Sequence, residues 1–347
     1  MMPRGEPTLA DKVAFLSRPE AYPHDTGEVV RKETHMSWVF LAGDKVYKLK
    51  KPVRFPYLDF STLERREAAC RAEYSLNRRL APDVYIGVAP LTSSGRGLAI
   101  AGEGQTVDWL VVMHRLDERW SLEQVAREGR LETSQLDRLI ATLVQFYRRA
   151  RPVLLSPGVQ LAAWPGHLTL NRCVLLDPRF DLPSGLIRRI DRSLRRFVAE
   201  RGHILAARAR RRRIVDGHGD LRPEHIWLDH EVRIIDCLEF NARLRTVDPL
   251  DEIAFLTLEC ERLGAAWAGQ YIRKGIERGL NEHSPPELFH FYRAYRTTLR
   301  ARLAIAHLYE PQPRTPEKWP CLARAYLDIA ARDSAEIEAA FRTRASR

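Results

Sequence analysis

"GHGDLRPEHIWLDHEVRIIDCLEF", residues 217 to 240, places Asp220 in a polar loop five positions before His225 and ends an apolar run on a second acid, Asp236. "HIWL" and "VRII" are β-compatible segments on either side of "DHE", so the spacing predicts a short hairpin. Asp236 would then emerge at the end of the second strand, near the loop that carries Asp220. The two carboxylates would share one site although sixteen positions separate them. Neighbouring carboxylates repel, and each tends to hold a proton unless a cation lies between them. Mg²⁺ is the natural cation, because it takes oxygen ligands and commonly binds through one or two carboxylates plus substrate phosphates. One acid that orients a hydroxyl and another that holds a metal on phosphates is the division of labour of phosphoryl transfer.

The rest of the chain sets the frame for that site. With 347 residues, 45% hydrophobic and 29% charged, it is long enough for two packed lobes and too apolar for a disordered chain. Cys70, Cys173, Cys237, Cys260 and Cys321 form no CxxC pair and read as reduced core thiols, not as disulfides or a zinc ribbon. The N-terminal stretch lacks the apolar run and cleavage site of a secretory signal, and no segment reaches the roughly 18 apolar residues of a spanning helix. A cytoplasmic protein without membrane attachment is the expectation. The net charge of +11 includes the Arg-dense "RARRRRIV" of residues 208 to 215. Such an excess can attract anionic partners. No RNA- or DNA-binding motif accompanies it, so the charge is assigned to solvated helix surfaces and no nucleic-acid partner is expected.

Toward the N-terminus, "HMSWVFL" and "KVYKLKK" flank Ala42, Gly43 and Asp44, which is hairpin chemistry. Ser61 as N-cap with Glu64 three positions on predicts a capped helix over 62–80, stopped by Pro82. At 100° per residue Ala69, Ala72, Leu76 and Leu80 share a face, and Glu73 falls within it. A carboxylate aimed at the core wants a cationic partner. Lys48 and Lys50, two apart on one strand face, both qualify. "TVDWLVVMHRL" reads as a strand, followed by helices at about 121–128 and 134–149, the latter with a stripe of Leu136, Leu139, Ile140, Leu143 and Tyr147. Residues 151–184, rich in proline, read as irregular; a basic helix over about 185–210 and a series of helices beyond Asp248 complete the pattern.

"HGDL", the hairpin and "IID", together with "VYKLKK" and Glu73, resemble the catalytic loop, metal strand and lysine–glutamate pair of the aminoglycoside phosphotransferase and choline kinase superfamily, relatives of the protein kinases. The resemblance implies an α+β, bilobal protein kinase-like fold. A small antiparallel-sheet lobe with one key helix would occupy 1–113, a hinge 114–118 and a larger, mainly helical catalytic and substrate lobe 119–347. It implies ATP and Mg²⁺ as cofactors, with Mn²⁺ as a substitute, and transfer of the γ-phosphoryl group to a hydroxyl of a small molecule. Asp220 would be the catalytic base, His218 a loop-shaping residue, Asp236 the principal Mg²⁺ ligand, and Lys48, held by Glu73, the phosphate-binding lysine. Met113 to Leu116, including Arg115, would meet adenine through backbone groups. "ETHMSWVFLAGDKVYKLKKPV", "YLDFSTLE", "LNRRLAPDVYIGVAPL" and "IDCLEFNARLRTVDPLDEIAFLTLE" resemble a bacterial branch of this superfamily over residues 25–310. Some members of that branch are fused to a P-loop kinase domain; the GxxxxGK[ST] signature does not occur in this sequence.

Two features depart from the pattern. His225 stands where the superfamily carries a metal-binding Asn, and imidazole suits softer metals better than Mg²⁺. Either His225 hydrogen-bonds within the catalytic loop and the site runs on one metal, or Glu239 or Asn241 supplies the missing oxygen, so His225 and Glu239 stand beside Asp236 as metal candidates. The loop before the second strand has "THMSW" in place of GxGxxG, and Thr34, His35 and Ser37 read as strand-edge residues. Two other readings follow from the same residues. One is a metal-dependent hydrolase ligated by His218, Asp220, His225 and Asp236, which leaves Lys48 and Glu73 idle. The other is a kinase-like nucleotide-binding protein with little turnover, motivated by His225. In "VDPLDEIAFLTLECE", Asp248, Asp251, Glu252, Glu259 and Glu261 form an acidic run. Its first members fix the catalytic loop in the superfamily, and the run otherwise reads as a solvated helix face before a receptor for a cationic substrate. Tyr292, Tyr295, Arg296 and Arg300 would line a cleft or lie on a helix surface.

Overall fold

The computed structural model describes residues 6–310, 312–313 and 315–345; the first five residues of the N-terminal stretch read above lie outside these. Helix α1 (Leu9–Leu16) leads into strands β1 (Val30–Glu33), β2 (Ser37–Ala42) and β3 (Lys45–Lys50), and then the short β4 (Arg54–Phe55) and β5 (Leu58–Asp59). Helix α2 (Leu63–Asn77) precedes β6 (Tyr85–Ser94), β7 (Gly97–Ile100) and β8 (Gln105–His114). Helices α3 (Leu122–Arg127), α4 (Thr133–Arg149), α5 (Pro157–Leu175) and α6 (Ser184–Arg210) follow. The short strands β9 (Val215–Asp216), β10 (Ile226–Trp227), β11 (Arg233–Ile234) and β12 (Thr246–Val247) come next, and then α7 (Pro249–Arg262), α8 (Ala266–Gly279), α9 (Pro286–Ala306) and α10 (Lys318–Ala345). The chain divides into two compact units, Met1–Ser121 with His225–Leu244, and Leu122–Glu224 with Arg245–Arg347.

In the first unit, six antiparallel strands are ordered β1-β2-β3-β8-β6-β7. The β2–β3 hairpin pairs Ser37 with Lys50 and Ala42 with Lys45, leaving Gly43 and Asp44 as a two-residue turn. Gly43 has φ +62°, and a Cβ there would come within 3.1 Å of the Asp25 carbonyl, so the turn requires glycine twice over. Alternation along β3 sends Tyr47 and Leu49 into a core with Val13, Leu16, Phe40, Leu91 and Leu110. Lys48 and Lys50 leave the opposite face. On that face Val111 and Met113 of β8 pack with Cys70, Ala81, Val84 and Tyr85.

Helix α2 carries the expected Glu73 on its buried face, but both its cap and its stripe differ from the sequence expectation. Thr62, not Ser61, is the N-cap and accepts from the Arg65 N–H, while the Ser61 hydroxyl is taken by Asp59 at 2.6 Å. The buried positions are Arg66, Ala69, Cys70, Glu73 and Asn77, at helical spacing but mostly polar. Polar groups at such positions need partners, and they have them: Arg66 donates to Asp108 at 2.7 Å, and Asp108 also receives Lys12 at 2.8 Å.

The second unit is helical, apart from the β9–β12 pair. The predicted stripe of α4 is buried at Leu136, Leu139, Leu143 and Tyr147. Residues 157–175, expected to be irregular, form α5, with Pro157 in its first turn and Pro165 inside it. An interior proline costs a helix about 3 kcal/mol. Burial offsets that: Trp164, Leu168, Asn171 and Leu175 make an inward stripe, and the Trp164 ring lies 4.9 Å from those of Phe291 and Tyr295. No helix among the described residues is long and apolar enough to cross a membrane.

Candidate active site

Within the first unit five charged side chains alternate in one chain of contacts. Asp236 Oδ1 accepts from Lys48 Nζ at 2.9 Å, and the same ammonium donates to Glu73 Oε1 at 2.8 Å. Glu73 Oε2 accepts from Lys50 Nζ at 2.6 Å, and Lys50 donates in turn to Glu239 Oε1 at 2.5 Å. The two ends differ. The Asp236 side chain is 44% exposed and that of Lys48 16%, whereas Lys50 and Glu73 are 1% exposed. The two lysines between which the sequence did not choose differ in setting: Lys48 touches the exposed acid, and Lys50 is enclosed.

Burial alone would push the Lys48 pKa down, but Asp236, Glu73 and Glu239 outweigh it and hold the ammonium well above the ordinary lysine value. Burial likewise opposes ionisation of Glu73, yet Lys48 and Lys50 together hold its pKa below the usual carboxylate range. Glu239 is raised, because burial there exceeds what Lys50 returns. Lys48 and Glu73 are therefore fixed as an ion pair.

Asp236 sits at φ +63°, a left-handed conformation that Asp adopts more readily than most residues. Its neighbours hold it there. The Asp236 N–H is 3.4 Å from the Tyr85 hydroxyl, and the Cys237 N–H donates to Asn77 Oδ1 at 2.8 Å, while the Asn77 amide donates back to the Glu73 carbonyl at 2.9 Å. Helix α2 thus positions Asp236 through Asn77, one turn beyond Glu73. The predicted hairpin is present as β10 and β11, pairing Ile226 with Ile234 and Trp227 with Arg233. It returns the chain so that His225 accepts the Ile235 N–H on its carbonyl and brings Nε2 to 3.5 Å from Asp236 Oδ2.

The donor set fits a hard divalent cation accompanied by phosphates. Asp236 offers carboxylate oxygens at the exposed end, and with all five groups ionised the carboxylates outnumber the ammoniums by one. Glu239, one of the expected alternatives, is instead committed to Lys50. Met113 is buried in β8, in register with Val46 and Tyr85. Arg115 is exposed, and its N–H donates to the Asp44 carbonyl at 2.8 Å beside the β2–β3 turn.

His218 and Asp220 belong to the second unit, in the loop that follows β9. Glu252, in the first turn of α7, holds this loop: its carboxylate accepts the His218 N–H at 2.9 Å, the Gly219 N–H and the Tyr147 hydroxyl at 2.9 Å. A Cβ on Gly217 would lie 2.6 Å from Val247 Cγ2 and 2.7 Å from Glu252 Oε2, so a side chain there would press on the carboxylate that holds the loop. Burial raises the Glu252 pKa against those hydrogen bonds. The His218 ring is buried, and its Nδ1 is 3.3 Å from the Asp220 N–H, which suits a loop-shaping residue better than a metal ligand. Asp220 Oδ2 receives Arg222 through Nε at 3.0 Å and Nη2 at 2.9 Å, and Arg222 Nη1 reaches Glu224 at 2.5 Å.

The acidic run is not a solvated face: α7 is buried from Pro249 through Cys260. Asp251 takes a two-pronged contact from Arg296 at 2.7 and 2.6 Å, Asp248 one from Arg208 at 2.6 and 2.8 Å, and Glu259 accepts from Arg300 and Tyr326. Arg208, counted above with the solvated basic patch, is internal, and Tyr292 is buried with its hydroxyl on Asp248. Asn77, Tyr85 and Arg222 were missed by sequence reasoning. A polar residue four positions after Glu73 on the same helical face was the available signal for Asn77; a cation two positions after Asp220 was that for Arg222.

No protein-family model matches the chain. It is 35% identical over 285 residues to uncharacterised proteins of Mycobacterium tuberculosis and Mycobacterium bovis, a match covering 81% of this chain and 56% of theirs; the chain spans little more than half the length of these relatives. Among solved structures it is similar to a choline/ethanolamine kinase family protein from Mesorhizobium loti (TM-score 0.51, 16% identity, 95% of this chain and 99% of that one). It is also similar to an aminoglycoside phosphotransferase, in a thermostable mutant bound to AMP-PNP and hygromycin B (TM-score 0.53, 12% identity, 92% and 97%). The fold is the kinase-like fold of the choline/ethanolamine kinases and aminoglycoside phosphotransferases.

Proposed function

We propose that the protein is an ATP-dependent phosphotransferase that moves the γ-phosphoryl group to a hydroxyl of a small molecule. The observation that carries this reading is the ion-pair chain that runs from buried Glu73 through Lys48 to the half-exposed Asp236. Such an arrangement presents one ammonium and one carboxylate, both held rigidly, to a polyanion and its counter-cation. That one solved neighbour holds AMP-PNP and hygromycin B supports a nucleotide and a small-molecule acceptor for this fold.

In this reading Lys48 binds phosphate oxygens, and Asp236 would hold Mg²⁺, with Mn²⁺ as a substitute. The metal, when bound, supplies neutralisation of charge on the phosphates. Asp220 accepts the proton of the attacking hydroxyl as its oxygen bonds to the γ-phosphorus. The bond from that phosphorus to the β–γ bridging oxygen breaks, and ADP leaves. Glu252 holds the backbone of the Asp220 loop and takes no part in the transfer. Met113 to Leu116 would offer backbone groups to adenine.

The test is a metabolite-library screen for ATP-dependent phosphorylation with Mg²⁺ and Mn²⁺ in parallel, using Asp220→Ala as the control. On an acceptor found this way, the variant should lose turnover by about 10²–10⁴-fold and keep its nucleotide affinity within a few fold. Activity surviving that change overturns the role of Asp220. A second reading, nucleotide binding with little turnover, is favoured by the His225 imidazole beside Asp236. Calorimetric binding of Mg·ATP with no acceptor phosphorylated and no ADP formed would select it.

A further inference from the structure

We propose that Lys50 is a positioning residue: a resident counter-ion that keeps Glu73 and Glu239 in place while Lys48 is given over to nucleotide phosphates. The role of Lys48 in this statement rests on the phosphotransferase reading; the pairing of Lys50 does not.

Glu73 is enclosed and has an ammonium on each oxygen, Lys48 on Oε1 and Lys50 on Oε2. Were Lys48 its sole partner, drawing that ammonium toward a triphosphate would leave a buried carboxylate uncompensated, a strongly unfavourable state. With Lys50 on the other oxygen the transfer leaves Glu73 paired. The surroundings of the two lysines match this division. Lys48 shares its ammonium with the exposed Asp236, so it lies where a ligand can reach it. Lys50 lies beneath the Phe60 ring, 5.0 Å from its centroid, and Phe60 packs with Leu58, Ala69 and Phe240 in a small apolar cluster. No nucleotide contact is needed for it to act.

Lys50 also joins three separate pieces of chain: its own strand β3, helix α2 through Glu73, and the segment after Asp236 through Glu239. That segment begins at a residue with positive φ, which persists only where the surroundings over-determine it. The Asn77 contact fixes it at Cys237 and the Lys50 contact fixes it at Glu239. A neutral residue at 50 would leave Glu73 and Glu239 to Lys48 alone, drawing that ammonium away from Asp236.

The experiment compares the wild-type chain with Lys50→Met, Lys50→Arg, Lys48→Met, Glu239→Leu and the double variant Lys50→Met/Glu239→Leu. The readouts are the urea midpoint and calorimetric titration with AMP-PNP in Mg²⁺ or in EDTA. Lys50→Met should lower the midpoint more than Lys48→Met, and adding Glu239→Leu should recover most of that loss. Despite its recovered stability, the double variant should bind Mg·AMP-PNP at least tenfold more weakly than wild type, whereas Lys50→Arg should stay within about threefold. Wild-type affinity in the stable double variant would reduce Lys50 to a packing residue and overturn the proposal, as would strictly additive midpoints. Should the Lys50→Met variants not fold, Glu239→Gln decides: affinity weakened several-fold in Mg²⁺ but kept in EDTA supports the proposal, and unchanged affinity in both refutes it. A wild-type chain that fails to bind AMP-PNP sinks the phosphotransferase reading instead, and the midpoints of the Lys50 and Glu239 variants then still test the pairing.

Discussion

The two acidic clusters of this protein use the same residue types to opposite ends. In the helical unit, Asp248, Asp251 and Glu259 of the α7 region are each met by an arginine, and Glu252 by two backbone N–H groups and a hydroxyl. In the sheet unit the alternating chain of Glu239, Lys50, Glu73, Lys48 and Asp236 ends on a carboxylate that is 44% exposed. A closed set of buried charges specifies a fold; a set left open at its solvent end offers a place for a ligand. The acidic run that looked like a surface in sequence is a closed set, and the set that ends on the half-exposed Asp236 is the open one.

The largest effect separating the two clusters should come from Asp251. It forms a buried, two-pronged pair with Arg296, and breaking such a pair from one side costs about 3–5 kcal/mol. Asp251→Ala should lose roughly that much in urea unfolding, and Asp251→Leu/Arg296→Leu should recover much of it. Lys48→Met sits on the other side of the contrast. It should abolish Mg·AMP-PNP binding at a smaller stability cost, because Glu73 keeps Lys50. Equal destabilisation by Lys48→Met and Asp251→Ala would erase the distinction between open and closed sets.

What the sequence made legible followed local rules. The β2–β3 hairpin with its Gly43 turn, the β10–β11 hairpin and the α4 stripe rest on spacing and turn chemistry, and each is present. Glu73 was legible because a charge within an apolar arc demands a partner; both candidate lysines proved to be that partner. What was illegible depended on tertiary burial. Helix α5 contains two prolines and forms because Trp164 packs among aromatic rings of α9. The buried stripe of α2 is mostly polar, so Arg66 and Asn77 resemble a solvated face until Asp108 and the Cys237 N–H are placed against them. The acidic run of α7 was misread for the same reason: its arginine partners lie some forty positions away in sequence.

A smaller effect sharpens the open end of the comparison. Asp236 combines an exposed carboxylate with positive φ, so its chemistry and its backbone conformation can be separated by choice of substituent. Asn tolerates the left-handed region, whereas Ala there costs roughly 1–2 kcal/mol. Asp236→Asn and Asp236→Ala should both lose the metal-dependent part of AMP-PNP affinity, and only the alanine variant should also lose stability of that size. If both variants titrated with Mg·AMP-PNP like wild type, Asp236 would not be the open end of anything.

The smallest effect concerns pH and the closed cluster. Burial raises the Glu252 pKa above its ordinary value of 4.5, with the backbone hydrogen bonds from Gly219 and His218 acting in the opposite direction. A carboxyl whose folded pKa lies above its unfolded pKa binds protons more readily when folded. Its stabilising contribution is complete below the unfolded value and is lost as pH rises through the folded one. Glu252→Gln removes that titration. The amide oxygen can accept both N–H groups as Oε1 does, but the NH₂ replaces the oxygen that accepts from the Tyr147 hydroxyl, which sets an offset that does not change with pH; the slope is therefore the diagnostic quantity. Measured by urea unfolding over roughly pH 4 to 7, wild-type stability relative to the variant should fall with rising pH, by at most about 1.4 kcal/mol per unit. A relative rise would mean that the N–H groups outweigh burial, so that Glu252 is held as a carboxylate by the very loop it fixes.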